Sequence, residues 1–165
     1  MILTYRALNA DDEPILWEML YHAIHVPHRQ SPFPRENLRQ SELGRYVAGW
    51  GRSTDAGWVV LDEERAVGAA WLRLLNGDQR GYGYVDEGTP ELSIALQALY
   101  RGQGLGSQLL ARLLADAQPR HAAVCLSVSP ANPAVQLYQR FGFVAVESSD
   151  SSITMLKRWR TTSEG

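Results

Sequence analysis

The chain has 165 residues, of which 45% are hydrophobic and 21% are charged, and its formal net charge at pH 7 is −2. This length fits one ordinary domain and excludes a multidomain protein, and a chain of this size can bury a core without disulfides or metal. The near-neutral charge provides no global positive field, which argues against nucleic acid as a partner.

Hydropathy and cysteine content favour a cytoplasmic location. The first residues lack a basic segment followed by an apolar stretch, and nowhere do about 18 apolar residues run without interruption. The single cysteine, Cys125, cannot form an internal disulfide, which fits a reducing compartment. We therefore expect a cytoplasmic protein with no membrane partner. A short basic cluster at residues 157–160 is typical of a solvated strand or tail.

The first third of the chain predicts one strand and two helices. Residues 2–7 are typical of a short strand. Residues 11–24 predict a helix, because acidic residues and Pro14 stand at its start and apolar residues recur at helical spacing. Pro27 ends this helix and begins a proline-rich loop. A second helix is expected over residues 35–50.

The pattern then changes to that of a β-hairpin. Residues 57–61 and 66–75 are rich in β-branched, aromatic and small apolar residues, and a polar turn separates them, so they predict two antiparallel strands. Asn76-Gly77 marks the next turn. The glycine-rich stretch 78–90 is expected to be a loop or an irregular approach to the next strand.

A clear alternation of apolar residues predicts a strand at residues 91–96. The large apolar residues face one side, which places Glu91 on the opposite side. The next large apolar residue, Leu99, breaks the alternation. Either the strand ends near Gln97 or it contains a bulge.

The second half of the chain predicts helices and strands in alternation. A leucine-rich face indicates a helix over residues 103–117, and the continuous apolar run at 122–128 is typical of a strand covered on both faces. A cap at Asn132 followed by a proline predicts a helix over residues 133–140. The closing strands are expected at residues 143–146 and 153–159.

This order of elements predicts one mixed α/β layer structure. The strand at 91–96, the helix after it and the strand at 122–128 form a right-handed crossover unit with two parallel strands. Ligands in such sheets bind at the carboxyl ends of the strands. The order therefore predicts a binding site near residues 96–107.

A glycine-rich turn lies at that place, directly after a strand and directly before a helix. It reads Arg-Gly-Gln-Gly-Leu-Gly-Ser over residues 101–107. Glycines at alternate positions remove every Cβ from one face of the turn, so backbone N–H groups can converge on an anion. The helix adds free amides and the positive end of its dipole, so a phosphate or pyrophosphate is the natural ligand. A turn that only connects two elements is the alternative.

The turn and a second segment resemble parts of a known family. The turn lacks the Gly-Lys-Ser/Thr ending of a nucleoside triphosphate loop and the wider glycine spacing of dinucleotide folds. Instead, Arg-x-x-Gly-x-Gly at residues 101–106, after the strand ELSIAL, resembles the signature of the GNAT superfamily of acetyl-CoA-dependent N-acetyltransferases. Residues 132–143, Asn-Pro-Ala-Val-Gln-Leu-Tyr-Gln-Arg-Phe-Gly-Phe, resemble the segment that follows the fifth strand in that family.

The resemblance implies both a fold and an activity. The fold is an α/β fold of the GNAT-like acyl-CoA N-acyltransferase type, with a central mixed, mostly antiparallel sheet and helices on both faces. One N-acetyltransferase domain spans residues 1–165. The activity is the transfer of an acetyl group from acetyl-CoA directly to a primary amine of a small molecule or peptide. A non-catalytic module that senses acyl-CoA is the alternative.

The family's mode of cofactor binding implies which residues contact acetyl-CoA. The backbone of Leu96, Gln97 and Ala98 would pair with the pantetheine arm. The pyrophosphate would lie on the amides of the glycine turn, which comprises Arg101, Gly102, Gln103, Gly104, Leu105, Gly106 and Ser107. Asn132 is a further candidate, and capping of the next helix explains it equally well.

Acetyl transfer to an amine needs a donor to the developing oxyanion, a proton for the leaving thiolate and a base for the amine. The resemblance gives the first role to the Leu96 amide and the second to Tyr138, for which packing against Phe141 is the alternative. Glu91, at the start of the cofactor strand, is the predicted base, acting directly or through water. A merely solvated glutamate is the alternative reading of that residue.

The amine is expected to bind near the end of the first helix. His22, His25 and His28 suggest a metal site, but Pro27 interrupts their spacing and no acid or cysteine partner is evident, so no metal is expected. Instead, the helix end and the proline loop are expected to form a wall of the acceptor pocket. Four loop residues join this wall, of which the two acids are also reserve bases: Tyr82, Tyr84, Asp86 and Glu87. The sequence leaves the acceptor's identity and a homodimer open.

Overall fold

The computed structural model describes residues 1–23 and 35–159. They form three α-helices, seven strands and short 3-10 turns around one sheet. The helices are α1 (Glu13–Ala23), α2 (Leu105–Ala117) and α3 (Ala134–Arg140). The strands are β1 (Leu3–Ala7), β2 (Ala56–Asp62), β3 (Arg65–Arg73), β4 (Glu91–Leu96), β5 (Ala123–Val128), β6 (Val144–Ser148) and β7 (Ile153–Arg158).

The sheet has the strand order β1-β2-β3-β4-β5-β7-β6. Every neighbouring pair is antiparallel except β4 and β5, which run parallel because α2 carries the chain back between them. This mixed, mostly antiparallel sheet with helices on both faces confirms the predicted fold class. The crossover unit that the sequence predicted is thus β4, α2 and β5.

Two apolar cores lie on opposite faces of the sheet. The larger core packs α2 and α3 onto the sheet, and it takes up Leu92 from β4. The second core packs α1 and part of the segment 35–50 on the other face, where it takes up Ala95 from β4. The alternation predicted for residues 91–96 therefore holds, and Glu91 lies on the α1 face.

The segment 35–50 is not the single helix that the sequence predicted. The structure has two short 3-10 helices there, Arg35–Asn37 and Glu42–Tyr46. Side chains from β3 bind carbonyl groups near the end of this segment: Arg73 donates to Arg45 O at 3.1 Å and to Ala48 O at 2.6 Å, and Trp71 donates to Tyr46 O at 3.0 Å. A helix ending at residue 50 would use the carbonyl groups of Arg45 and Tyr46 internally. These tertiary bonds favour the irregular path over the helical one.

Candidate active-site cleft

The two parallel strands of the sheet separate soon after they begin. β4 and β5 share one paired position, Glu91 with Cys125, next to which Cys125 N donates to Pro90 O at 3.0 Å. By contrast, β3 pairs with β4 along its whole length, up to Gly68 with Leu96. A gap therefore opens between the carboxyl ends of β4 and β5.

A cavity of about 560 Å³ occupies this region. Its lining comes from both faces of the sheet, because it includes the end of α1 on one face and α3 on the other. The lining residues are His22, Ala23, residues 94–96, Arg101, Gly106, residues 132–134, Leu137 and Tyr138. The gap in the sheet is thus reached from both faces.

The unpaired edge of β4 turns backbone groups toward the gap. Gln97 N donates to Val67 O of β3 at 2.9 Å, so the Gln97 amide points toward β3. Since successive peptide groups alternate in direction, the Ile94 and Leu96 amides point the opposite way, into the gap. Arg101 Nε donates to Leu96 O at 3.2 Å. This edge can accept a further extended chain by backbone pairing.

The glycine turn follows β4 without a bulge. The strand ends at Leu96, a 3-10 turn covers Ala98–Tyr100, and Leu99 is 84% exposed, so the break in alternation marks the end of the strand. Gly104, with φ +84°, caps α2 in the left-handed region, and a Cβ there would meet no atom within 4 Å. The space over Gly104 and the first amides of α2 is open to an anion.

Gly106 allows α3 to approach α2 and β4. A Cβ at Gly106 would lie 3.3 Å from Leu137 Cδ2 and 3.7 Å from Ile94 Cδ1. A larger side chain would therefore push Leu137 away from the cavity that both residues line. This glycine has a packing role, whereas Gly104 has a conformational one.

Tyr138 reaches the cavity from α3. Its side chain is buried, and its ring makes an edge contact with Phe143 at 5.9 Å rather than with Phe141. Burial raises the pKa of Tyr138, so the hydroxyl keeps its proton at neutral pH. Packing and proton donation are compatible at this position, because the ring packs while Tyr138 also lines the cavity.

Asn132 binds the first amide of α3 from one residue before the N-cap, Pro133. Its Oδ1 accepts a hydrogen bond from Ala134 N at 2.9 Å, in the first turn of α3. Asn132 also lines the cavity, so its side chain borders the same space as Tyr138. The other residues of the predicted cofactor set that line the cavity are Leu96, Arg101 and Gly106. Gln97 and Ala98 lie between β4 and the glycine turn, and the remainder lie in the turn itself.

Glu91 lies at the far end of β4 and does not line the cavity. It lies five positions before Leu96, about 17 Å along an extended strand. Its carboxylate is buried, Tyr46 donates to Oε2 at 2.5 Å, and Oε1 has no hydrogen-bond partner among the described residues. Burial raises the pKa of Glu91, and the hydrogen bond from Tyr46 opposes that rise. The alternative of a solvated glutamate is therefore wrong.

The loop 78–90 covers Glu91. Gly81 packs so closely on the carboxylate that a Cβ there would clash with Oε1, and Gly83 packs on the backbone of Leu126. Tyr82 stacks on Tyr46 at 6.5 Å. This loop thus closes the α1 face of the sheet where β4 and β5 are still paired.

None of the four loop residues predicted for the acceptor wall lines the described cavity. Tyr84 lies under Arg80 at 4.3 Å, and Asp86 Oδ1 accepts bonds from Gly88 N and Thr89 Oγ1 within its own turn. Tyr82 donates to Glu42 Oε2 at 3.0 Å. The end of α1 does line the cavity, whereas His25, His28 and the proline loop lie outside the described residues.

The sequence reasoning did not find a pair of side chains at the end of α1. His22 Nε2 lies 3.2 Å from Glu18 Oε1, one helical turn earlier, and His22 lines the cavity. Arg101 Nη2 donates to His22 O at 3.2 Å, so the same guanidinium joins α1 to the end of β4. The spacing of four residues between an acid and a histidine on a predicted helix was the available signal.

Other predicted features have ordinary structural roles. Cys125 is fully buried in β5, and burial raises the pKa of its thiol to about 12, which suits a core residue. Across residues 1–23 and 35–159, no three His, Cys, Asp or Glu side chains are grouped so as to hold a metal ion. The helices in those same ranges are all too short or too polar to cross a bilayer.

A sequence comparison identifies a family over most of the chain. Residues 17–143 match the model of the acetyltransferase (GNAT) family. No curated protein is similar enough in sequence to count as a match.

Solved structures share the fold at low sequence identity. PaiA N-acetyltransferase from Thermoplasma acidophilum, solved with coenzyme A, has a TM-score of 0.66 at 16% identity, over 96% of this chain and 100% of that one. Ribosomal-protein-S18-alanine N-acetyltransferase from Escherichia coli gives 0.66 at 18% identity, over 98% and 96%. A chimera of the spermidine N-acetyltransferase SpeG from Vibrio cholerae gives 0.61 at 20% identity, over 94% and 95%. At these identities, the likeness concerns the fold.

Proposed function

Because the chain belongs to the GNAT acetyltransferase family, we propose that it transfers an acetyl group from acetyl-CoA directly to a primary amine of a small molecule or a peptide. One observation carries this proposal: the unpaired edge of β4, the glycine turn and Tyr138 meet at one cavity that both faces of the sheet line. A thioester held on one face can meet an amine that arrives from the other.

The shape of the cleft supports binding of coenzyme A. An extended pantetheine arm carries amide groups, and the Ile94 and Leu96 amides face the gap where such an arm can pair with them. The open space over Gly104, at the start of α2, suits the pyrophosphate. We propose that Ala98 and the turn residues 101–107 bind the cofactor through their backbone. The prediction for Gln97 is not kept, because its N–H donates to Val67 O of β3 and its carbonyl accepts from Tyr100 N.

Two groups at the cleft suit the chemistry of acetyl transfer. The Leu96 amide would donate to the thioester oxygen as negative charge develops there, and one such fixed donor is worth about 3 kcal/mol in the transition state. Tyr138 would give its hydroxyl proton to the departing thiolate. Burial raises the pKa of Tyr138, so the hydroxyl still carries its proton when the thiolate forms.

Glu91 as the proton acceptor stays a prediction. From its buried place about 17 Å along the strand from Leu96, it could receive the amine's proton only through intervening water. Burial raises the pKa of Glu91, which makes its carboxylate a stronger proton acceptor than an exposed one.

The names of two similar proteins suggest which amines to test as acceptors. Those proteins are named for acetylating an alanine of a ribosomal protein and for acetylating spermidine, so we propose to test both a peptide amine and a polyamine.

The described residues form one sheet with its covering helices, which supports one domain over residues 1–165. The cytoplasmic location, the absence of a nucleic-acid partner and a homodimer stay untested predictions.

The experiment combines binding with turnover. Calorimetry measures acetyl-CoA binding, and thiol release is then followed with spermidine, a peptide with a free N-terminal alanine and a lysine-containing peptide. Acetyl-CoA binding together with amine-dependent thiol release is the expected result. Binding without release for every amine would favour the acyl-CoA sensor instead.

A further inference from the structure

Few of the side chains that line the cleft can exchange protons. Among the described lining residues, the ionisable side chains are His22, Arg101 and Tyr138. An arginine keeps its proton at any physiological pH, and burial keeps the proton on Tyr138. Imidazole is the side chain that gains and loses a proton between pH 5 and 8. Of these three described side chains, His22 is therefore the one suited to accept a proton.

The neighbours of His22 fix which of its nitrogens can act. Nε2 lies 3.2 Å from Glu18 Oε1, so in the neutral ring Nε2–H donates to the carboxylate and Nδ1 holds the free lone pair. The ring also makes an edge contact with Tyr21 at 5.9 Å. An acid that orients a histidine in this way is the usual support for a general base.

The backbone of His22 is held beside the reacting strand. Arg101 donates to His22 O and to Leu96 O, each at 3.2 Å, and so ties the last turn of α1 to the end of β4. Among residues 1–23 and 35–159, the charged or titratable groups that line the cavity with His22 are Arg101 and Tyr138, while Glu18 and Tyr21 contact its ring from its own helix. His22 comes from the α1 face and Tyr138 from the α3 face.

On this geometry, and resting on the proposed acetyl transfer, we propose that His22 is a further catalytic residue that accepts the proton of the amine, with Glu18 as its positioning residue. The ammonium group of the substrate gives one proton to His22 Nδ1 and becomes a neutral amine. The amine lone pair forms the C–N bond, the C–S bond breaks, and its electron pair leaves with sulfur. Tyr138 protonates the sulfur. The nitrogen then loses its second proton, which passes through solvent to the tyrosinate and restores the hydroxyl.

The test is the pH dependence of kcat/KM, with acetyl-CoA and whichever of the three amines above reacts fastest. A base must be unprotonated to act, so wild-type activity falls on the acid side of the profile. His22→Gln should lower kcat/KM about 100-fold at pH 7 and remove this acid limb. His121→Gln, the same change at a histidine beyond the end of α2, is the matched control and should retain the wild-type profile.

Glu18→Gln separates positioning from packing. Without the carboxylate, the ring loses its fixed orientation, so kcat should fall while KM for the amine stays near wild type. Acetyl-CoA affinity, measured by calorimetry, should stay within about twofold of wild type in both variants, since the bond from Arg101 uses the His22 backbone oxygen, which both variants keep.

Several outcomes would overturn the role of His22 alone. A wild-type acid limb in His22→Gln would do so, as would a uniform loss of rate with an unchanged profile. Loss of the limb in Glu91→Gln but not in His22→Gln would assign the proton to Glu91. A wild-type protein that binds acetyl-CoA and acetylates no amine would instead overturn the acetyl transfer itself, and the role of His22 with it.

Discussion

The two ends of β4 differ in what surrounds their backbone. At the amino end, Glu91 is paired with Arg73 of β3 on one side and with Cys125 of β5 on the other. At the carboxyl end, Leu96 is paired with Gly68 of β3, while its other side faces the cavity. One strand of six residues thus has a closed end and an open end.

At the closed end, buried polar side chains bind one another and stabilise the fold. The Arg73 guanidinium makes two bonds to Asp55, at 3.1 and 2.9 Å, and both side chains are almost fully buried. Tyr46 and the loop 78–90 seal Glu91. The open end instead leaves amides unpaired beside a glycine turn. The binding site therefore lies where backbone groups of β4 have no hydrogen-bond partner in a neighbouring strand.

Gly104→Val should have the largest effect at the open end, a complete loss of coenzyme A binding. The side chain would occupy the open space over the turn, and its φ of +84° strains any branched residue. Calorimetry with coenzyme A measures the loss. Gly77→Val is the matched control, because Gly77 also has a positive φ, +60°, and open space, but lies in the turn after β3. Unchanged binding in Gly104→Val, or equal loss in both variants, would contradict this assignment.

Arg73→Met should be the most damaging change at the closed end. It leaves the Asp55 carboxylate buried without its partner, which typically costs about 3–5 kcal/mol. Urea unfolding measures the change in free energy. The double variant Arg73→Met with Asp55→Asn removes the stranded charge and should recover part of the loss. A double variant no more stable than the single one would show that the lost bonds to Arg45 O and Ala48 O dominate.

Tyr138→Phe should act on the reaction at the open end and spare the fold. It keeps the ring contact with Phe143 but removes the proton donor, so kcat should fall about 100-fold while acetyl-CoA affinity stays within about twofold. Steady-state kinetics and calorimetry provide the two numbers. Tyr5→Phe on β1, under Arg112, is the matched control without an expected effect. Equal losses of rate and affinity would mean that Tyr138 only packs.

Glu91→Gln should give the smallest effect, seen in how stability depends on pH. Burial raises the pKa of Glu91 in the folded protein, so the folded state holds this proton to higher pH than the unfolded chain does. Wild-type stability should therefore fall relative to Glu91→Gln as pH rises from about 4, the ordinary pKa, toward neutrality. Urea unfolding of both proteins at pH 4.5 and pH 7.5 checks the sign. A difference that does not change with pH would show that ionisation of Glu91 costs the fold nothing.

Local signals predicted the open end well. Three patterns were visible within short runs of residues: the alternation in residues 91–96, the glycine spacing after it and the leucine face of α2. In the structure they form β4, the turn and the helix. Leu99 broke the alternation for a local reason, since the strand ends at Leu96. Short-range patterns are reliable where neighbours in sequence are also neighbours in space.

Long-range contacts decided the parts that the sequence did not predict. The helix expected over residues 35–50 is replaced by 3-10 turns, because Arg73 and Trp71 from β3 take its carbonyl groups. Asp86 was expected in the acceptor wall but caps its own turn, and Glu91 was expected near the amine but is sealed under Gly81. The role of His22 depends on Arg101, which is distant in sequence.

The sequence by itself determined the order of strands β1–β7 and helices α1–α3, the glycine turn and the family, because these depend on spacing within a few residues. Tertiary structure alone decided that β4 and β5 part after one paired position, and which side chains face the gap so formed. Side chains far apart in the chain meet there only after the sheet and both helix layers have packed. Burial and hydrogen bonding across those layers then set which of the acids and bases can reach the cleft.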